Sequence, residues 1–313
     1  MSDLEQKSIN ANVTVGPSLR TSLMQALVML PLGATLLGAG LGTSASAEGR
    51  PSPPGPSADL AAIEACVSRN LPDAAGVIDF HVEAVDRSDV ITTSRAEIRW
   101  RKDDASLSQV VLRVSEPAET AGTALLIVDR ASDQPEFYLS LPDLPKVKRV
   151  RSKRLRGPVL GTDFSFEDLE RLQDPVDATA VELVGVSDVS GRPSWLLETL
   201  DDGSKGSEYA RVLTHVDQEF CLPIQINLYG EDDRLRKQLS APVSEIRLVG
   251  DAMLPYVFVM EDLRRDTQTT IRIQDFQASS DLPAAEFTKS ALKSDGLSGG
   301  SENEGETPAA MSH

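Results

Sequence analysis

The stretch VIDFHVEAVDRSDVITTSRAEIRW, residues Val77–Trp100, decides the fold class of this chain. Apolar side chains occupy every second position on both sides of the polar turn AVDRSD, and charged or polar residues fill the positions between them. A period of two predicts β-strands that are apolar on one face, and the short polar turn predicts that the two strands pair antiparallel. The apolar members are Ile78, Phe80, Val82, Ala84, Ala96, Ile98 and Trp100.

The same pattern continues along the chain. SQVVLRV places Val110, Leu112 and Val114 on one face, and similar segments follow beyond the polar turns VSDVSGRP and YGEDDR. Alternation of strands with long helices, which would indicate a parallel sheet, is not seen. We therefore expect a mainly β protein with ten or more antiparallel strands, and a sheet of that width should curl or close.

Few helices are predicted to cover the apolar face of this sheet. The helical patterns are Ser57–Asn70, Phe164–Leu172 and a stretch near Pro283–Leu292. Short helices over a wide curled sheet predict an apolar cavity that suits an acyl chain, and the alternative is a filled core without a ligand. The candidate lining residues are Ile78, Phe80, Val82, Ile98, Trp100, Val110 and Leu112.

The first 47 residues have the pattern of a signal peptide. Arg20 precedes the uncharged run Ala26–Gly42, and Ala45-Ser46-Ala47 then matches a cleavage site. The run contains Pro31 and is shorter than the ~20 residues of a spanning helix, so cleavage is favoured over an uncleaved membrane anchor.

Composition divides the rest of the chain into three parts. Residues 48–57 form a Pro-rich spacer, residues 58–292 a single large domain, and residues 293–313 an acidic Gly/Ser-rich tail that we expect to be disordered. Cys66 and Cys221 both follow the leader, so in an exported protein they predict one disulfide, with two buried free thiols as the alternative.

Charge and missing motifs exclude several classes of function. The net charge of −17 disfavours nucleic-acid binding, because the field of the protein repels a polyphosphate. The three His residues are scattered, and none of the common hydrolase, P-loop, metalloprotease or dithiol motifs occurs. We therefore expect no catalytic residue, no metal site and no cofactor.

One basic run contrasts with this acidic chain. KVKRVRSKRLR, residues Lys146–Arg156, contains seven Lys or Arg residues and no acid. It fits an edge strand that discourages aggregation and pairs with the acidic helix after it. It also fits a surface for anionic lipid headgroups or for an acidic protein partner, so all three interpretations stay open.

The segment that contains this run resembles a known family. FYLSLPDLPKVKRVRSKRLRGPVLGTDFSFEDL is similar to the LolA-like outer-membrane lipoprotein-sorting proteins, in the uncharacterised branch of that group. Its matching features are a basic Val/Arg strand and a Gly-x-Asp-Phe-x-x-Glu-Asp-Leu helix. The candidate ligand or lid residues are Arg149, Arg151, Gly161, Asp163, Phe164 and Asp168.

The resemblance implies a half-open antiparallel β-barrel with a short helical lid. It implies a periplasmic carrier or binding protein for lipid or lipoprotein acyl chains in a Gram-negative cell, not an enzyme. The alternative is a periplasmic regulatory sensor that reads lipid or lipoprotein state and signals through a protein partner. An inner-membrane transporter of the resistance-nodulation-division (RND) type, transient contact with the membrane surface and a monomeric state are further expectations.

If the basic strand faces inward, Arg149 and Arg151 would lie near the lid. They would then hold it through Asp163 or Asp168, or meet the headgroup of a ligand.

Overall fold

The computed structural model describes eight ranges of the chain. Arg151, the predicted leader 1–47, residues 48–51 of the spacer and nearly all of the predicted tail lie outside them. The described residues are 52–70, 75–103, 108–130, 133–150, 158–173, 181–201, 207–279 and 282–293.

Strands make up most of the described chain. The helices are α1 (Leu60–Ser68) and α2 (Phe166–Gln173), with 3₁₀ turns at Val243–Glu245 and Ala284–Phe287. The strands are β1 (Ala75–Val85), β2 (Ile91–Lys102), β3 (Ser108–Glu116), β4 (Ala124–Arg130), β5 (Asp133–Ser140), β6 (Lys148–Arg149), β7 (Val181–Val189), β8 (Arg192–Leu200), β9 (Arg211–Asp217), β10 (Pro223–Tyr229), β11 (Leu235–Ser240), β12 (Ile246–Val249), β13 (Ala252–Pro255), β14 (Val257–Asp262) and β15 (Thr267–Ala278).

Thirteen of these strands form one antiparallel sheet. Its order is β6-β5-β4-β3-β2-β1-β15-β14-β11-β10-β9-β8-β7, and β12 with β13 forms a separate hairpin between β11 and β14. Within the described ranges the edge strands β6 and β7 do not pair with each other, so the sheet stays open. The predicted fold class, a wide antiparallel sheet that is not closed, is confirmed.

The strand register keeps the predicted apolar positions on one face. Phe80 lies opposite Ala96, which lies opposite Val114 on the next strand. Because side chains alternate between faces, this register lines up one continuous apolar face across β1, β2 and β3. Both helices pack on this face, which we call the helix-covered face.

Helix α1 covers one end of that face and is fixed there. It begins after Asp59, whose carboxylate accepts the backbone N–H of Ala62 at 2.9 Å, so the N-cap is Asp59 and not Ser57, at which the predicted helical pattern begins. Its buried residues Ile63 and Val67 pack against Trp195. Cys66 forms the predicted disulfide with Cys221, and their Cα atoms are 5.5 Å apart, an ordinary separation for a bridge.

The segment 282–293 was expected to help cover the apolar face, and instead it packs on the opposite face. Its residue Phe287 packs against Leu126 and Tyr138, whereas the neighbouring Leu125 packs against Phe166 of α2. The physical reason is the uninterrupted apolar run ALLIV in β4, which is buried on both faces and therefore needs a cover on each.

In the part of the chain that the structure describes, no helix has the length and apolar character needed to span a membrane.

Candidate functional site

A strip of apolar side chains on the helix-covered face is only half covered. We call it the apolar strip, and it crosses β3, β2, β1, β15 and β14. Its members are neither fully buried nor exposed, while Phe80 and Val82 beside them are each only 6% exposed. The strip consists of Val110, Leu112, Ile98, Ile78, Ile271 and Phe258.

Trp100 flanks this strip on the helix-covered face. It is 7% exposed and lies 6.0 Å from Phe276, measured between ring centroids. The ring reaches that position by crossing over Gly76, where a Cβ atom would collide with it. The seven predicted lining residues therefore share one face, three of them buried and four half-buried.

A tight turn brings helix α2 onto the sheet beside the strip. Leu160 and Gly161 both have positive φ angles, of 51° and 80°, which favour glycine at the second position. Val159 N–H then donates to the Phe164 carbonyl at 2.7 Å, and Phe164 is buried against Met260. The predicted Gly161 and Phe164 thus position the helix.

The start of α2 is stabilised by a capping box between Ser165 and Asp168. Ser165 N–H donates to Asp168 Oδ2 at 2.7 Å, and Asp168 N–H donates to Ser165 Oγ at 3.1 Å. Both residues are buried, so the carboxylate of Asp168 points into the interface between α2 and the sheet.

A buried lysine from strand β11 pairs with this carboxylate. Lys237 Nζ donates to Asp168 Oδ2 at 2.8 Å and to the Asp163 carbonyl oxygen at 2.7 Å. The side chains of Lys237 and Asp168 are 8% and 2% exposed, so the ion pair lies away from water. Such a pair holds two elements together as long as both partners stay in place.

Asp163 is bound in the same region by two threonines of β15. The Thr267 and Thr269 hydroxyls donate to its two carboxylate oxygens, the latter at 2.7 Å. Asp163 N–H returns a hydrogen bond to Thr269 Oγ1 at 2.9 Å. The Lys237 ammonium thus meets the Asp168 carboxylate and the Asp163 carbonyl oxygen, while two threonine hydroxyls stabilise the Asp163 carboxylate.

Tyr209 completes this cluster. Its hydroxyl donates to Asp168 Oδ1 at 2.8 Å. Burial, and then the adjacent Asp168 carboxylate, raise the pKa of Tyr209 far above its ordinary value, so the phenol stays protonated as a donor. We call the whole cluster the polar anchor: Asp163, Asp168, Tyr209, Lys237, Thr267 and Thr269.

Arg149, which the sequence offered as the residue that holds the lid, lies on the opposite face. It is paired across the strands with Tyr138, which packs under Phe287 on that face, and its guanidinium bonds Glu136 Oε1 at 2.9 Å. The inward-facing orientation of Arg149 is therefore wrong. Its proposed partner Arg151 lies outside the described residues.

Sequence reasoning missed Lys237 and Tyr209. A signal for Lys237 was present, because it stands between Leu235 and Leu239 in the apolar phase of its strand. A lone lysine in that phase must either disrupt the apolar face or find a buried anionic partner.

Within the described ranges, no group of three or more His, Cys, Asp or Glu residues could hold a metal ion.

Comparison with known proteins gives both a family and a fold. A family model described as "Uncharacterized protein"-like matches residues 106–294, which is more than half of the chain. A search of the curated proteins gives no match.

Solved structures match over most of their length. An outer membrane lipoprotein-sorting protein domain from Vibrio parahaemolyticus is 18% identical with a TM-score of 0.66, covering 75% of this chain and 98% of that one. A DUF1329 family protein from Desulfovibrio piger is 19% identical with a TM-score of 0.67, covering 74% and 97%. A LolA superfamily protein from Nitrosomonas europaea is 18% identical with a TM-score of 0.58, covering 73% and 96%. The chain belongs to the family of uncharacterised proteins that the matching model describes, and it has the fold of the LolA-like lipoprotein-sorting domains.

Proposed function

We propose that this protein is a carrier or binding protein for the acyl chains of lipids or lipoproteins. The observation that carries the proposal is the half-covered apolar strip beside α2. A folded domain usually buries a continuous apolar sheet face, and a strip that stays partly exposed fits a place where an apolar partner binds. The lipoprotein-sorting fold supports the same ligand class.

The strip suits an extended hydrocarbon chain because its residues follow one another across five adjacent strands. Neighbouring strands lie about 4.8 Å apart, so five strands give a path of roughly 20 Å. Each CH₂ group that leaves water for this path stabilises the complex by about 0.8 kcal/mol. Helix α2 borders the path, and its displacement would widen the entrance.

The proposed site of action is the periplasm. The Cys66–Cys221 disulfide supports an oxidising compartment, where such bridges form and persist. The leader 1–47 would direct export there. Partnership with an RND-type transporter and the monomeric state stay predictions.

Displacement of a fluorescent fatty acid tests the proposal with a matched pair of variants. Ile78→Asn places an amide in the strip, and Val77→Asn makes the same kind of change on the same strand but on the opposite face. A buried amide without partners costs about 1–3 kcal/mol, so Ile78→Asn should weaken probe binding roughly five- to 150-fold. Val77→Asn should leave it near the wild-type value.

Equal weakening by both variants would show that the probe does not use the strip. A wild-type protein that binds no acyl probe would overturn the carrier proposal. The sensor alternative would then be tested by asking whether the purified protein retains a soluble protein partner.

A further inference from the structure

A lysine lies next to the apolar strip, on the same face of the sheet. Lys102 follows Trp100 by two positions on β2, so both side chains project from the helix-covered face. Trp100 is paired across the strands with Val110, a member of the strip. Lys102 is paired with Ser108, the residue two positions before Val110. Lys102 and Val110 are therefore diagonal neighbours, about 7–8 Å apart, a separation that a long side chain can span.

The ammonium group of Lys102 is buried and has no hydrogen-bond partner among the described residues. Burial lowers the pKa of Lys102, because a charged group loses the solvation that water gives it. Lys237 on the same face is satisfied instead, since the Asp168 carboxylate and the Asp163 carbonyl oxygen accept its hydrogen bonds. Burying an ammonium without an anionic partner is costly, and an anion that bound beside Lys102 would reduce that cost.

The acids near this part of the sheet do not neutralise Lys102. Burial is the main reason that the pKa of Asp129 on β4 is raised, and the Asp129 carboxylate accepts the backbone N–H of Ser108. Repulsion from Asp103 adds to the same rise. Within the described ranges neither carboxylate bonds the Lys102 ammonium, so this cation remains available to a ligand.

We propose that Lys102 binds the anionic headgroup of the ligand whose acyl chain lies on the apolar strip. This inference rests on the proposed acyl-binding function and adds a charge requirement to it. The headgroup would be a carboxylate or a phosphate, because both accept charge-assisted hydrogen bonds from an ammonium group. Salt screens a buried charge pair much less than an exposed one, so the contact would persist at physiological salt.

The position of Lys102 also gives the acyl chain a direction. The headgroup would lie beside the start of β3, next to Val110. The hydrocarbon would then follow the strip across β2 and β1 toward Ile271 on β15 and Phe258 on β14. A neutral lipid of the same length could use the strip but would lack the bond to Lys102.

Displacement of a neutral naphthylamine dye tests this inference with three ligands of one chain length: dodecanoate, dodecyl phosphate and dodecanol. The wild type should bind the better of the two anions roughly 10- to 150-fold more tightly than dodecanol, the size expected for a hydrogen bond to a charged group. The anion with the larger advantage identifies the headgroup as a fatty-acid carboxylate or a phospholipid phosphate. Lys102→Met should remove the advantage and leave dodecanol binding unchanged.

Arg101→Met is the matched control, because it removes the same charge from the next residue of β2. Arg101 lies on the opposite face, where its guanidinium bonds Gln109 Oε1 at 3.0 Å and lies over the ring of Phe287. This variant should keep the wild-type preference for the anion. The comparison therefore separates a bond at Lys102 from a change in the general charge of the chain.

Urea unfolding of the ligand-free chain asks whether Lys102 has a structural role instead. Lys102→Met removes a buried charge and breaks no hydrogen bond among the described residues, so the midpoint should stay the same or rise. Lys237→Met should lower the midpoint, because that lysine is paired with Asp168. A comparable loss for Lys102→Met would overturn the inference, since the ammonium would then serve a partner within the chain.

Equal binding of dodecanol and both anions by the wild type would overturn the headgroup inference and leave the acyl-binding function intact. A preference for the anion that survives in Lys102→Met would overturn it too, because another cation would then be responsible. So would a preference that both variants lose equally. If none of the three ligands binds the wild type, the acyl-binding function fails and the headgroup inference fails with it.

Discussion

Helices α1 and α2 cover the same face of one sheet and are held to it by different chemistry. Helix α1 has a covalent bond from Cys66 and packs Ile63 against Trp195, so apolar contact and a disulfide fix it. Helix α2 also packs Phe166 against Leu125, but no covalent bond holds it, and its first turn is tied to the sheet by the Asp168–Lys237 pair and the hydroxyl groups around it. Polar contacts can exchange with water, whereas a disulfide cannot, so we expect α2 to open more readily than α1.

The two helices also cover different strands of the sheet. Helix α1 covers β7–β9, and the β9–β10 turn is tied to its end by Asn70, which donates to the Phe220 and Cys221 carbonyls at 2.7 and 2.9 Å. Helix α2 lies on the same face, beside the apolar strip and away from the end that α1 covers. A fixed cover at one end and a more readily released cover beside the strip would suit the reversible binding that we propose.

The largest expected effect comes from removing the covalent bond of α1. The chain-entropy model gives about 5 kcal/mol for a loop of this length, and the loss of such bridges typically costs about 2–5 kcal/mol. The Cys66→Ala, Cys221→Ala variant should therefore lose that much free energy of unfolding in urea. Amide hydrogen exchange in α2, measured under native conditions, should change much less than exchange in α1.

Equal acceleration of exchange in both helices would contradict the comparison. It would show that the two covers open as one unit.

An effect of comparable size comes from Lys237→Met, which leaves the Asp168 carboxylate buried without its cation. Breaking a buried pair in this way costs about 3–5 kcal/mol, unless the structure relieves it by opening. We expect α2 to open and its amide exchange to accelerate, with α1 nearly unaffected. Adding Asp168→Asn removes the uncompensated charge and should restore much of the protection of α2.

If amide exchange in α2 of the Lys237→Met variant matches that of the wild type, the ion pair does not hold α2 on the sheet. A double variant without recovery would mean that Lys237 acts through its bond to the Asp163 carbonyl instead.

Tyr209→Phe should have a smaller effect in the same direction. The phenol donates one hydrogen bond to a buried carboxylate, and bonds to charged groups contribute about 1.5–3 kcal/mol. Tyr229→Phe is the matched control, because that ring stacks under Arg211 at 4.1 Å and should keep this contact without its hydroxyl. Urea unfolding of both variants measures the difference, and equal losses would contradict the role of the Tyr209 hydroxyl.

The sequence predicted the α1 side of this comparison better than the α2 side. Alternation with a period of two gave the strand faces, because burial of one sheet face leaves that pattern directly in the residues. The disulfide was predicted from two cysteines in a chain that begins with the pattern of a signal peptide. Both signals are local or compositional, so one sequence is enough to read them.

The anchor of α2 depends on the pairing of distant strands. Lys237 meets Asp168 only because β11 lies beside β14 and the turn after Val159 brings α2 over them. The basic run offered Arg149 as a more obvious cation, but strand register directs it to the opposite face. A shift of one residue reverses the face of every side chain in a strand, so charge alone could not decide between the two.

The last prediction concerns how stability responds to alkali. Near neutral pH this effect is the smallest of the four, but it distinguishes the two helices most directly. The raised pKa of Tyr209 means that the folded protein keeps a proton that the unfolded chain loses near pH 10. The contribution of Tyr209 is therefore complete below about pH 10 and declines as the pH rises above it, because unfolding then releases a proton. The stability gap between the wild type and Tyr209→Phe should narrow above about pH 10, as urea unfolding at several pH values would measure. The gap between the wild type and the Cys66→Ala, Cys221→Ala variant should not follow this pattern, because neither the disulfide nor the apolar packing of α1 contains a titrating group. A gap for Tyr209→Phe that stays constant through this range would mean that the phenol is open to solvent, and that α2 is held by the ion pair alone.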